Sequence, residues 1–152
     1  MGLFTNEEIF RVALEQSAID SNCKWEDFLK KDNVIVTSVA NPSARRYLKL
    51  PHACDLTTYG NNIVATISEE YKDIVEGYIS KYAVEHCFET PNIYTLNNAL
   101  SEYNLEICFM AEYFLAKLKC HRTRRISGFS SIAFGKSSPC PDLNHHVCHK
   151  IS

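Results

Sequence analysis

The pattern of apolar residues changes abruptly near Leu115. Before that residue, stretches with helical spacing of apolar side chains are interspersed with β-branched or alternating stretches that are typical of strands. After it, only Ile126–Phe134 fits a short strand, and no apolar period lasts for more than a few residues. A chain without repeating apolar faces cannot bury enough surface to fold. We therefore expect a domain over residues 1–115 and a tail of low order over residues 116–152.

The balance of basic and acidic residues changes at the same place. The net charge of −2 combines 9 basic and 17 acidic residues in positions 1–115 with 7 basic and 1 acidic residue in positions 116–152. The 45% of hydrophobic residues suffices for a core, and no apolar run reaches the length of a membrane-spanning helix. The N-terminus is acidic, unlike a signal peptide, and seven scattered cysteines suit a reducing compartment. These features predict a cytoplasmic protein that does not enter a membrane.

The elements before Leu115 predict helices and strands in mixed order. Thr5 and Glu8 form a capping-box pattern that opens a helix to about Ile19. A second helix is expected over Trp25–Lys31, with Trp25, Phe28 and Leu29 on its buried side. Two more are expected, from an N-cap at Ser68 to about Tyr82 or His86 and around Leu96–Tyr103. Strands are expected at Asn33–Val39, Leu56–Tyr59, Ile63–Ile67 and Leu105–Leu115. This order predicts an α/β fold of the mixed α+β kind, with helices packed on a small central sheet.

Five stretches, in this order, carry a resemblance to a known family. They are Leu14-Glu-Gln-Ser-Ala-Ile-Asp20, Asn41-Pro-Ser-Ala-Arg-Arg-Tyr-Leu-Lys-Leu-Pro51, Tyr59-Gly-Asn-Asn-Ile-Val-Ala65, His86-Cys-Phe-Glu-Thr-Pro91 and Cys108-Phe-Met-Ala-Glu-Tyr-Phe-Leu115. Over residues 3–115 the chain resembles the N-terminal half of clostridial and related bacterial GNAT-family N-acetyltransferases. The resemblance implies a degenerate GNAT-like half, in which two parallel central strands would splay apart.

In such relatives an acetyl-CoA-binding domain follows this region, and it transfers an acetyl group to a small amine. The resemblance implies that this catalytic half is missing here, as in a truncated protein or one whose tail is read in another frame. We therefore expect a GNAT-related module without its own catalytic site. The alternative is a non-enzymatic binding or assembly module whose Cys/His-rich basic tail holds a metal or a polyanion.

The cofactor-binding candidates are Arg125 and Gly128. The resemblance implies a loop that holds the CoA pyrophosphate on backbone N–H groups at the start of a helix. Arg125-Ile-Ser-Gly128-Phe-Ser130 matches that loop at its Arg and its first Gly only. Because Gly and Pro residues follow, a long amphipathic helix cannot begin there. A basic loop is the simpler interpretation.

Metal-ligating candidates also lie in the tail. Structural zinc takes four Cys or His ligands, usually in two spaced pairs. The candidates are Cys140, His145, Cys148 and His149. Cys140 to His145 and His145 to Cys148 have workable separations, but the adjacent Cys120 and His121 do not form a usual clamp. Adventitious metal binding by the tail is the alternative.

Among the acidic and nucleophilic residues, Glu112 is the candidate general base for acetyl transfer, and a solvated carboxylate on a strand is its alternative. His86 and Cys87 suggest a nucleophile and its base, but adjacent residues point apart, which favours a core cysteine beside a partly buried histidine. The turn at Tyr59–Asn62 is either a recognition surface or an ordinary hairpin turn. All three interpretations remain open at this point.

Two kinds of partner are considered for the surface. The basic cluster between Lys117 and Arg125 is accompanied by no nucleic-acid-binding motif, so nucleic acid is not expected as a partner. A missing catalytic half would leave Tyr113, Phe114 and Leu115 exposed, which predicts self-association.

Overall fold

The computed structural model describes residues 4–46, 48, 50–108, 110–114 and 147–151. Its three α-helices are α1 (Asn6–Ser21), α2 (Lys72–Lys81) and α3 (Thr90–Ser101). Its five strands are β1 (Val34–Thr37), β2 (Cys54–Thr58), β3 (Ile63–Ile67), β4 (Met110–Phe114) and β5 (Val147–Ile151). Three 3-10 helices complete the set, at Trp25–Leu29, Glu69–Tyr71 and Val84–Phe88.

Helix α1 begins at the predicted capping box. The backbone N–H of Glu8 donates to Thr5 Oγ1 at 3.1 Å, and the Thr5 N–H donates to Glu8 Oε2 at 2.6 Å. The helix ends at Asn22, whose φ of 55° places it in the left-handed region that asparagine tolerates. Local sequence therefore sets both ends of this helix.

The strands form one sheet in the order β1-β3-β2-β5-β4. Strands β1 and β3 are parallel, and every other neighbouring pair is antiparallel. The parallel pair stays in continuous register from Val34 opposite Val64 to Thr37 opposite Ile67. Among the described strands, this parallel pair lies at the edge of the sheet and is not splayed.

Helices cover both faces of the sheet. On one face, α2, α3 and the Val84–Phe88 helix bury aliphatic side chains against β2 and β3, and the centre of this cluster is Leu56, Ile63, Ala65, Ile67, Val75, Ile79, Leu96 and Leu100. On the other face, α1 and the Trp25–Leu29 helix enclose Leu14, Ala18, Phe28, Tyr59 and Val64. The fold is a mixed α+β arrangement with helices packed on a small sheet, which confirms the predicted class.

Three local predictions differ from the structure. Ser68 lies at the predicted N-cap position, before the Glu69–Tyr71 3-10 helix, but its side chain makes no capping hydrogen bond and its hydroxyl donates to the carbonyl of His52 at 3.2 Å. Leu29, expected on the buried side of its helix, is 41% exposed. The strand expected from Leu105 begins only at Met110, because the N–H of Ile107 is held by Asn97 Oδ1 at 2.7 Å instead of a sheet partner.

Strand β5 lies in the tail, at residues for which the sequence pattern predicts no element. Its backbone is antiparallel to β2, with Thr58 opposite His149, and to β4, with Phe114 opposite Val147. The unpaired N–H and C=O groups along a sheet edge accept a further strand whatever its side-chain pattern. The predicted strand Ile126–Phe134 lies outside the described residues.

Candidate functional site

The candidates that the sequence singles out near β4 and β5 are only partly described. Glu112 lies on β4, and its Cα pairs in register with that of His149 on β5, next to Cys148. Arg125, Gly128, Cys140 and His145 lie outside the described residues. Within the described part of the chain, no group of three or more metal-ligating residues comes together. The acetyl-CoA loop, the zinc site and the general base remain predictions.

His86 and Cys87 do not form a catalytic pair. The His86 ring nitrogen Nδ1 lies 2.9 Å from Glu89 Oε1 on the surface, and this hydrogen bond raises the pKa of His86. Cys87 is buried, and its thiol points to the carbonyl of Tyr82 at 3.7 Å. Burial and the nearby charge of Glu85 raise the pKa of Cys87 to about 11. The core-cysteine interpretation is confirmed, although His86 is exposed rather than partly buried.

The thiols of Cys23 and Cys54 are equally unsuited to nucleophilic chemistry. Burial raises the pKa of each to about 12, and the carboxylates of Asp27 and Asp55 respectively add to the effect. The thiolate is the reactive and metal-binding form of cysteine. Both side chains are therefore protonated, inert thiols at neutral pH.

The Tyr59–Asn62 turn uses its polar groups within the fold. The hydroxyl groups of Tyr59 and Ser17 hydrogen bond at 2.8 Å, which joins the turn to α1. Asn62 is completely buried, and its side-chain N–H groups donate to the carbonyls of Asp27 at 2.8 Å and Asp32 at 2.9 Å. These contacts favour the interpretation as a structural hairpin turn.

A buried ion pair connects α1 to the link between β1 and β2. The Asp20 carboxylate is almost fully buried and accepts hydrogen bonds from the backbone N–H of Arg45 at 2.9 Å and from its Nε at 2.5 Å. Asn41 adds a hydrogen bond to the carbonyl of Ile19 at 3.0 Å. Sequence reasoning missed this pairing, since the partners are 25 residues apart. The one available signal was an acidic residue that follows the apolar stripe of α1.

A pocket of about 250 Å³ opens between the start of β2, helix α3 and the extended segment 105–108. Its walls are mainly aliphatic, from Leu96, Leu100, Leu105 and Ile107. The ionisable residues of the lining are His52, Glu106, Cys54 and Cys108. The His52 Nε2 atom is buried and has no hydrogen-bond partner among the described residues. Backbone contacts hold His52 in place, since its N–H donates to Ser38 Oγ at 2.8 Å.

Sequence reasoning did not single out His52, because nothing local distinguishes it from other loop histidines. We name this cavity the His52 pocket. Its shape and lining suit a small apolar molecule. Its walls carry the acidic Glu106 and no lysine or arginine.

Comparison with known proteins adds no relationship to this description. The chain matches no protein-family model, no curated protein and no solved structure. None of the described helices has the length and apolar character needed to cross a membrane.

Proposed function

We propose that this chain is a GNAT-related module that does not transfer acetyl groups by itself. In intact relatives such a module would shape the acceptor side or the interface with the acetyl-CoA-binding domain. The proposal follows from the resemblance over residues 3–115 and from what the resembling stretches do in the fold.

The observation that carries the proposal is the set of contacts between those stretches. The stretch that ends at Asp20 is joined to the stretch 41–51 through the buried Asp20–Arg45 pair. It is joined to the stretch 59–65 through the hydroxyls of Ser17 and Tyr59. The stretches that carry the resemblance therefore pack α1 against the sheet. This is the role that we expect of a structural module.

The thiol chemistry supports the same proposal. Three cysteines of the described part have pKa values raised to about 11 or 12, so each keeps its proton at neutral pH. His86, the histidine next to Cys87, is paired with Glu89 instead of the thiol. A covalent acyl intermediate on one of these cysteines is disfavoured, because it would require a thiolate.

The test combines an acetyl-transfer assay with thermal unfolding of the full chain. We expect no transfer from acetyl-CoA to a panel of small amines and no shift of the melting temperature with acetyl-CoA. A saturable rise of the melting temperature with acetyl-CoA would overturn the proposal. A rise with zinc alone, lost in the Cys148→Ser and His149→Gln variants, would favour the alternative of a metal-binding module.

A further inference from the structure

The His52 pocket has the dimensions of a site for a single small ring. An apolar cavity of about 150 Å³ lined by leucine, isoleucine and phenylalanine binds benzene. The His52 pocket has about 250 Å³ and a similar aliphatic wall made by Leu96, Leu100, Leu105 and Ile107. It therefore has room for a benzene-sized ring with a small substituent.

The pocket also has one polar group that lacks a partner. The Nε2 atom of His52 is buried without a hydrogen bond among the described residues, whereas most buried polar atoms in proteins are paired. The backbone of His52 is fixed on both sides, because its N–H contacts Ser38 and its carbonyl accepts from the Ser68 hydroxyl. His52 lines the pocket, so a ligand there would supply the partner that this nitrogen lacks.

The charge of the pocket lining disfavours ligands that carry a carboxylate. Glu106 is the acidic residue of the lining, and the lining contains no lysine or arginine. A ligand carboxylate would meet like charge and lose its hydration without compensation. The aliphatic walls offer no hydrogen bonds to a charged group of either sign, so the lining favours an uncharged compound.

We propose that the His52 pocket binds a small uncharged aromatic compound that carries one hydroxyl or N–H group. The ring occupies the space between Leu96, Leu100 and Ile107, and the ligand's donor bonds to Nε2 of His52, whose proton then resides on Nδ1. The inference rests on the pocket alone and is independent of any relation to acetyltransferases.

The experiment titrates the full chain with p-cresol, toluene and benzoate, and follows binding by calorimetry and by the melting temperature. We expect saturable binding of p-cresol, roughly ten-fold weaker binding of toluene because one hydrogen bond is lost, and no binding of benzoate. Absence of p-cresol binding would overturn the proposal. Equal binding of p-cresol and toluene would overturn the role of His52, and binding of benzoate would overturn the selection against charge.

Replacing either of two histidines by leucine tests whether p-cresol binds at His52. In His52→Leu, p-cresol should bind no better than toluene, whereas His86→Leu, which changes an exposed histidine, should keep the ten-fold preference. Retention of the preference in His52→Leu would contradict the assignment. If His52→Leu does not fold, the comparison of the three ligands on the unaltered chain still decides the question.

Discussion

The most informative perturbation is the replacement of Asn62. This side chain is fully buried, and its two N–H groups bond to the backbone carbonyls of Asp27 and Asp32. It thereby connects the β2–β3 turn to the Trp25–Leu29 helix through Asp27 and to the segment before β1 through Asp32. Asn62→Ala would leave both carbonyls without these donors.

The magnitude follows from those two bonds. Asp27 is half-buried and Asp32 is exposed, so each lost hydrogen bond counts at about 0.5–1.5 kcal/mol, or roughly 1–3 kcal/mol for the two. The Oδ1 atom of Asn62 is itself buried without a partner, so its removal lowers this cost, whereas the void that the shorter side chain leaves raises it. We therefore expect Asn62→Ala to lower the free energy of unfolding by about 1–3 kcal/mol.

A second variant separates hydrogen bonding from volume. Asn62→Asp keeps the shape but directs a carboxylate at two carbonyl oxygens, so it should be more destabilising than Asn62→Ala at neutral pH. Burial among acceptors raises the pKa of such a carboxyl group, because it disfavours the charged form. The added loss should therefore be small at acidic pH and should grow as the pH rises through that raised pKa.

Urea unfolding followed by circular dichroism measures these effects, because the midpoint reports stability when the slope is unchanged. Asn61→Ala, at the exposed neighbouring position, is the matched control and should change stability by less than about 0.5 kcal/mol. A loss below about 1 kcal/mol for Asn62→Ala, with the slope unchanged, would refute the reasoning from buried hydrogen bonds.

Three further predictions concern stability. Gly77→Ala should stabilise the protein by about 0.5–1 kcal/mol in a thermal melt, since Gly77 lies within α2 and an added Cβ meets no atom within 4 Å. Gly60→Ala should instead destabilise it, because the φ of Gly60 is +102°, a conformation that alanine rarely adopts. Arg45→Ala should lower stability by about 3–5 kcal/mol, because it leaves the buried Asp20 carboxylate without its charged partner, whereas Asp20→Ala should cost less, because Arg45 is partly exposed and can be hydrated. A double-mutant cycle should show coupling, and additive losses would contradict the pairing. Finally, the free energy of unfolding should fall as the pH rises from 9 towards 11. The reason is that an unfolded cysteine loses its proton near the ordinary pKa of 9.0, whereas the pKa of folded Cys87 is raised to about 11. The Cys87→Ala variant should show a smaller fall over that range.

Features set by residues close together in the chain were predictable. The capping box at Thr5 and Glu8 needs only three residues of separation, and the β2–β3 hairpin needs a short turn at Gly60 between two apolar stretches. The burial alternation at Leu105–Cys108 was also visible in the sequence. The sequence therefore predicts a strand from Leu105, but the strand begins only at Met110, because a side chain of α3 takes the hydrogen bond that a sheet partner would have used.

The candidate site was much less predictable than the fold. Of the residues that the sequence proposed for cofactor and metal binding, Arg125, Gly128, Cys140 and His145 lie outside the described residues. The His52 pocket lies between a loop, a helix and an extended segment. No periodic pattern of residues in the sequence predicts that these segments will pack around a cavity.

The sequence by itself therefore determined the classes of element, the end of the periodic pattern near Leu115 and the mixed α+β class, since each follows from short-range spacing. The tertiary structure alone decided that Asp20 pairs with Arg45, that Asn62 is buried, and that a strand at Val147–Ile151 pairs with β2. The physical reason is that these contacts join residues 25 or more positions apart. Their free energy depends on burial and geometry that exist only after the helices and the sheet have packed.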